Sequence, residues 1–135
     1  MSKPKDDWWR SAVWAVRNYP ARKEEYDELH RQSLVADLSG MPSGHEVSRS
    51  AENIALRTMA PMKQREYDAV VRAIEVTKLM PNGDARLELI RRMYWQGKKL
   101  NMNAVIYQLG IAEATGKRWH GVFIRLVGEF LGYIN

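Results

Sequence analysis

The 135-residue sequence predicts an all-α fold. Apolar residues recur at helical spacing in several segments, and no segment alternates convincingly with the period of two that marks a half-buried strand. Turns that contain Gly or Pro separate these periodic segments. The hydrophobic fraction of 45% is enough for a packed core. Together these features predict a helical bundle that ends in a helix-turn-helix.

The N-terminal residues, 1–38, predict a pair of helices. Asp6 or Asp7 is a suitable cap for the first helix, and Pro20 is expected to end that helix or to start the next one. One face of the first helix is apolar and carries Trp9, Ala12, Val13 and Val16. Residues 21–38 are charged and have only a weak apolar stripe, which is typical of a surface helix.

A change of composition separates this pair from the rest of the chain. Residues 39–48 are rich in Gly, Pro and Ser and predict a flexible loop. Beyond the loop, residues 49–135 form the predicted helical core. Helical patterns cover 50–59, 61–79 and, after the Pro81-Asn82-Gly83 turn, 85–95 with Asp84 as the cap. Because this core has apolar faces of its own, we expect it to fold without the N-terminal pair.

The chain from about residue 101 to 131 shows the pattern of a helix-turn-helix. Gly110 permits a sharp stop after the first helix, since a residue without Cβ adopts a positive φ at no steric cost. A second apolar run follows, from Trp119 to Phe130. In this motif the second helix enters the DNA major groove. An ordinary helical hairpin is the alternative interpretation. The first helix has one apolar face, formed by Met102, Val105, Ile106 and Leu109.

Three residues depart from the usual helix-turn-helix pattern. Ile106 occupies the position where a small residue normally lets the two helices approach. Gly116 occupies the position of a branched apolar anchor and is expected to weaken the second helix locally. Ala112 has no side chain that can cap that helix. The sequence therefore predicts a wider helix crossing than usual.

Net positive charge is confined to the C-terminal part of the chain. Residues 1–48 carry seven Lys or Arg against eight acidic residues, 49–85 carry six against five, and 86–135 carry eight against three. Localised positive charge is typical of a surface that displaces counterions from phosphates. A membrane surface also attracts such charge, but the chain has no long apolar run and no lipidation signal. Double-stranded DNA is therefore the predicted partner.

The first turns of the second helix supply the candidate DNA contacts. Arg118 or Lys117 is suited to guanine O6 and N7, and Glu113 is suited to a cytosine amino group. For Arg91 and Arg92, which precede the motif, a solvated helix face is the alternative interpretation. The remaining predicted contacts, several of them to the sugar-phosphate backbone, are Ala114, Thr115, His120, Lys98, Lys99, Arg91 and Arg92.

Three tryptophans near the N-terminus form a second candidate site. Trp8 and Trp9 are adjacent and cannot both face one side of a helix, so one of them is expected to be partly exposed unless something covers it. The C-terminal half of the chain is one candidate cover. The other is a partner that binds Trp8, Trp9 and Trp14, either RNA polymerase or a second protomer.

The sequence does not predict an enzyme, a cofactor or a metal site. It contains no phosphate-binding loop, no nucleophile elbow and no dinucleotide fingerprint. The three histidines, His30, His45 and His120, are far apart, lack metal-binding spacing and are expected to be surface residues. The lack of cysteine fits a reducing compartment, and the charged N-terminus has no signal-peptide core. We therefore expect a cytoplasmic protein of a bacterial host cell.

Four segments follow one another in the C-terminal half: LIRRMYW at 89–95, NMNAVIYQLGIA at 101–112, TGKR at 115–118 and VGEFLG at 127–132. Their order resembles the RinA/ArpU family of phage transcriptional regulators, and residues 48–56 resemble the middle region of that family. Asn103, Ile106 and Ala112 differ from the residues that are usual in the family. These differences bear on which DNA sequence the protein prefers. The resemblance implies control of late phage genes by a C-terminal half similar to the promoter-reading domain of sigma factors.

Three classes of function remain open at this point. The first is a transcription regulator, with an activator and an antitermination factor that travels with RNA polymerase as close variants. The second is a small terminase subunit of the DNA-packaging machinery, although such proteins usually carry the helix-turn-helix near the N-terminus. The third is a purely structural helical protein, which the clustered positive charge disfavours.

Overall fold

The computed structural model describes residues 5–39, 59–97 and 100–134. These residues contain no strand, which confirms the all-α fold class. The helix that begins at Gly83 continues into a π-helical turn, Arg91–Trp95. The predicted loop (39–48) and the helical pattern at 50–59 lie outside the described residues, apart from Ser39 and Met59. The described residues form five α-helices: α1 (Lys5–Ser39), α2 (Pro61–Lys78), α3 (Gly83–Ile90), α4 (Met102–Leu109) and α5 (Glu113–Phe130).

The predicted N-terminal pair is wrong, because α1 is one continuous helix of 35 residues with Pro20 inside it. Proline has no N–H, so the carbonyl oxygen of Val16, four residues earlier, loses its helical donor. The structure supplies a substitute, since the indole Nε1 of Trp95 donates a hydrogen bond of 2.8 Å to this oxygen. The helix thus continues through Pro20, and the Val16 carbonyl oxygen is satisfied by a donor from another element.

Replacement of Trp95 by phenylalanine tests this compensation. We expect Trp95→Phe to lower the free energy of unfolding by about 1–3 kcal/mol, because the Val16 carbonyl then lacks a donor. Pro20→Ala restores the backbone N–H, so Trp95→Phe should cost about 1 kcal/mol less in that background. Urea denaturation of the four variants measures the difference. Equal costs of Trp95→Phe in both backgrounds would mean that the indole contributes only by packing.

The first half of α1 belongs to the central core of the molecule. Trp8 is only 8% exposed, and its indole lies on Gly128 of α5, where an added Cβ would be 2.9 Å from Trp8 Cε3. This packing argues against the expectation that the C-terminal core folds without the N-terminal helix. The buried cluster combines α1, α2, α3 and α5 through Trp8, Ala12, Ala15, Val16, Ala69, Val70, Ala73, Ile90, Phe123, Ile124 and Val127, and extends to Leu131.

In the second half of α1, residues 19–26 contact α2, while most described side chains of this segment are exposed, as expected of a surface helix. Tyr19 and Tyr26 both stack on Tyr67 of α2, with ring centroids 5.9 and 4.7 Å away. Arg22 of α1 lies 3.7 Å from the carboxylate of Glu66 on α2. Tyr26, one member of the weak stripe predicted in this segment, thus contacts α2 through its ring.

The turn between α2 and α3 forms where the Pro81-Asn82-Gly83 pattern predicts it. Asn82 adopts the positive φ, 59°, and precedes α3, so the helix begins one residue before the predicted cap Asp84. Gly83 is required by close approach, since an added Cβ would lie 2.5 Å from the carbonyl oxygen of Thr77. Asp84 lies in the first turn of α3, where its negative charge is favourable to the helix dipole.

A second, smaller core joins α3, α4 and α5. Gly116 is buried against Ile106, and an added Cβ would lie 2.5 Å from Ile106 Cδ1. The two departures from the helix-turn-helix pattern therefore compensate each other, because the large residue on α4 fills the space that the glycine leaves on α5. The expected wide crossing is not needed to accommodate Ile106. Leu89, Val105, Ile106 and Trp119 are the buried members of this core.

None of the described helices is long and apolar enough to cross a lipid bilayer.

Candidate nucleic-acid interface

The elements α4 and α5 are joined by a tight turn at residues 110–112. Asn101 caps α4 by accepting a hydrogen bond of 2.8 Å from the backbone N–H of Ala104. Gly110 ends α4 with φ of 67°, the left-handed conformation expected from the sequence. Ala112 precedes α5 without a side-chain cap, as its methyl group requires. The start of α5 is thus set by the turn and by apolar packing.

One face of the first turns of α5 is exposed. Gly116 and Trp119 are buried on the opposite side, so the helix is anchored by one face while the other is open to solvent. Thr115 is half-buried. The structure brings together four of the predicted contacts on this open face, hereafter the α5 face: Glu113, Ala114, Lys117 and Arg118.

The charged groups of the α5 face differ in how they are paired. Lys117 Nζ lies 2.8 Å from Glu113 Oε1, and this hydrogen bond lowers the pKa of the Glu113 carboxyl below its ordinary value. Both groups are exposed, so the pair separates at little cost when either finds another partner. Arg118 is exposed and makes no ion pair or hydrogen bond with any described residue. Its five N–H donors are therefore available to a ligand.

His120 is not the surface residue that the sequence predicts. Its Nε2 lies 2.8 Å from the hydroxyl of Tyr94, and its ring stacks on the Tyr94 ring with a centroid distance of 5.8 Å. Trp9 of α1 contacts the ring edge-on, also at 5.8 Å. This arrangement makes His120 a packing residue of the α1–α5 contact, and it makes a direct contact between its side chain and DNA unfavourable.

The pH dependence of stability is expected to report on His120. Burial lowers its pKa below the ordinary value of 6.5, so the folded chain keeps the ring neutral where the unfolded chain is protonated. The contribution of the neutral His120 ring to the free energy of unfolding is fully present above about pH 6.5. It is lost as the pH falls from there through the lowered pKa of the folded chain. Denaturant midpoints measured between pH 7.5 and 5 should therefore fall.

His120→Gln is the variant that isolates this effect, since glutamine does not titrate. Its midpoints should change less over the same interval than those of the unaltered chain. Glu88 and Glu113 have lowered pKa values, but they contribute little to this change, because their effect on stability begins near the ordinary carboxyl pKa of 4.5, below the interval. An unchanged pH profile in His120→Gln would show that the buried ring is not the titrating group.

Arg91 and Arg92 are held by one carboxylate. Glu88 accepts hydrogen bonds from Nε and Nη2 of Arg91, at 2.9 and 2.6 Å, and from Nε of Arg92 at 2.8 Å. Arg92 also reaches α4, where Gln108 Oε1 lies 3.2 Å from its Nη1. These bonds favour a structural role in joining α3 to α4, although each guanidinium retains further donors. Lys98 and Lys99 lie outside the described residues.

The three N-terminal tryptophans have different environments. Trp8 is buried against the chain itself, and Trp9 is half-buried beside His120. Trp14 is 57% exposed and lines an open groove of about 400 Å³ between α1, α2 and the C-terminal segment. Only Trp14 is therefore presented to a partner. The other groove residues are Arg10, Ser11, Met62, Glu66, Leu131 and Tyr133.

No pattern in the sequence indicates that Tyr94 belongs to this region. Its ring reaches His120 because the chain turns in a π-helical geometry at residues 91–95, and apolar periodicity carries no signal for such a turn. Within the described part of the chain, no group of three or more His, Asp or Glu side chains is arranged to hold a metal ion.

The family resemblance rests on the short motifs at 89–95, 101–112, 115–118 and 127–132. Compared with family models, with curated proteins and with solved structures, the chain matches none of them.

Proposed function

We propose that this protein is a DNA-binding transcription regulator of the phage late-gene type. It reads DNA with the α5 face, with α4 and α5 acting as a helix-turn-helix, and it acts on RNA polymerase. The observation that carries the proposal is the open face at the start of α5, which follows a tight left-handed turn and is anchored from behind by Gly116 and Trp119. The concentration of net positive charge in residues 86–135 supports the same partner.

The roles on the α5 face follow from pairing and exposure. Arg118 has free donors and is suited to a bidentate contact with guanine O6 and N7. Lys117 and Glu113 exchange their mutual ion pair for a phosphate and a cytosine amino group, since an exposed pair is readily separated. Ala114 offers a methyl group for contact with a thymine methyl. Base reading thus depends on a small number of side chains.

Contact with RNA polymerase is proposed for the groove that contains Trp14. The exposed indole and the exposed side chain of Met62, which is 54% accessible, give an apolar surface on the same chain. Exposed aromatic surface is enriched at protein interfaces. A second protomer at this groove is the competing occupant, and measurement of the molecular mass in solution distinguishes the two.

Selection of bound fragments from the protein's own genome tests the proposed function most directly. Enrichment of promoter-proximal fragments is expected of a regulator. Enrichment of sites at which DNA packaging begins would instead identify a small terminase subunit, and the absence of any enriched or retained DNA would overturn the DNA-binding proposal.

Arg118→Ala is expected to weaken binding at the selected site by about 1–3 kcal/mol and to relax discrimination at one or two base pairs. Fluorescence anisotropy on the selected and on random duplexes measures both effects. Arg31→Ala is a suitable control, because Arg31 is an exposed arginine of α1 that already pairs with Glu28. An equal loss on both duplexes for Arg118→Ala would mean that this arginine contacts phosphate and reads no base.

A further inference from the structure

Arg17 of α1 lies beside the start of α5, although the sequence assigns no DNA contact to the N-terminal part. Its guanidinium carbon is 6.0 Å from the centroid of the Tyr94 ring. Tyr94 is hydrogen-bonded to His120, and Lys117 precedes His120 by three residues on α5. Residues at this spacing are neighbours on a helix surface. Arg17 is therefore connected to the α5 face through the contacts of the Tyr94 and His120 rings.

The charge of Arg17 is not neutralised within the described part of the chain. The residue is exposed. Among the described residues its side chain contacts the Tyr94 ring and makes no ion pair or hydrogen bond. An aromatic face orients a guanidinium without cancelling its charge. Arg91 differs in this respect, since Glu88 neutralises it through two hydrogen bonds. Arg17 thus presents a full positive charge at the edge of the proposed interface.

We propose that Arg17 binds a DNA phosphate that flanks the site read by α5, so that the interface extends onto α1. The inference rests on the proposed function. The position of Arg17 favours contact with a phosphate over contact with a base. Arg17 belongs to α1, which packs beside α5, whereas the proposed base contacts come from the first turns of α5. Phosphate contacts of this kind set the register of a protein on DNA and carry no sequence information.

The extension gives α1 a direct part in binding DNA. The Trp9 and Trp95 contacts join α1 to α5 and to the π-helical turn, so the backbone at Arg17 keeps its position relative to α5. A rigid pair of contacts on two helices limits the orientations in which the protein can bind. Arg17 is accordingly a positioning contact, and Arg118 is the contact that reads sequence.

The test compares salt dependence for three variants of the full chain. Arg17→Gln should lower affinity for the selected duplex and for random duplex by the same factor, roughly fivefold to tenfold at about 0.1 M salt, and should reduce the log–log salt slope by about 0.9. Arg17→Lys keeps the charge and should retain most of the slope. Circular dichroism of each variant verifies that the fold is intact.

Arg72→Gln is the matched control. Arg72 is also an exposed arginine over an aromatic ring, with its guanidinium carbon 4.4 Å from the Phe130 centroid, but Phe130 lies thirteen residues, or about 20 Å, beyond Lys117 along α5. Its removal should leave the salt slope unchanged. If Arg17→Gln behaves like Arg72→Gln while Arg118→Ala weakens binding, this inference is overturned and the proposed function stands. If the unaltered chain binds no DNA, both fail.

Discussion

Trp8→Ala is expected to lower the free energy of unfolding by about 3–5 kcal/mol. The indole is 8% exposed and lies on Gly128, where no side chain on α5 can fill the space that its removal leaves. Trp14→Ala is the matched control, because Trp14 is on the same helix and is 57% exposed. Its cost should be about 1 kcal/mol or less. Denaturant titration followed by circular dichroism measures both changes.

A shortened chain tests in a second way whether the C-terminal part needs α1 in order to fold. A fragment that begins at Arg49 lacks Ala12, Ala15 and Val16, which are almost completely buried against α2 and α5. We expect this fragment to be largely unfolded by circular dichroism. Equal costs for Trp8→Ala and Trp14→Ala, together with a folded fragment, would restore the division into an N-terminal unit and an independent core.

Local patterns in the sequence were enough to predict the C-terminal elements. Val105 and Ile106 are buried at the spacing that one apolar face of α4 requires, and Gly110 has the positive φ that a sharp stop requires. The exposed residues of the α5 face follow from the same periodicity, because the buried positions of a helix determine its open side. These features depend on residues within a few positions of one another.

The course of α1 depends instead on a residue far along the chain. Proline is a strong local signal for a helix boundary, and it is overruled here by a donor from Trp95, which is 79 positions away from Val16. Nothing in residues 1–38 identifies that donor. The same separation explains why Trp8 was open to two interpretations, since its partner Gly128 carries no side chain and leaves no apolar signal.

In the candidate interface, too, contacts between distant parts of the chain decide the environment of a residue. The sequence placed His120 among the DNA contacts because it follows Lys117 and Arg118 in a polar segment. Its ring is instead hydrogen-bonded to Tyr94 and packs against Trp9, and these residues belong to two other elements. Arg17 is missed for the opposite reason, since its neighbours in sequence, Val16 and Asn18, are uncharged while its neighbour in space is the Tyr94 ring.

Gly116→Val is expected to destabilise the protein more than its effect on helix propensity would suggest. The new side chain would occupy the space of Ile106, which lies 2.5 Å from the position of the first added carbon and is 5% exposed. Overpacking of this kind costs about 1–3 kcal/mol. Ile106→Ala alone should cost about 2–5 kcal/mol, because it leaves a cavity. The expected readout is the free energy of unfolding from urea titration.

The double variant Ile106→Ala with Gly116→Val restores the usual placement of the small and the large residue. Its cost should fall below the sum of the two single costs by more than about 1 kcal/mol, as directly packed pairs do. Gly121→Ala is the control on the same helix, since an added Cβ meets nothing within 4 Å there. It should stabilise the protein by about 0.5–1 kcal/mol through helix propensity. Strict additivity in the double variant would show that Ile106 and Gly116 do not compensate each other, and the close approach of α4 and α5 would then need another cause.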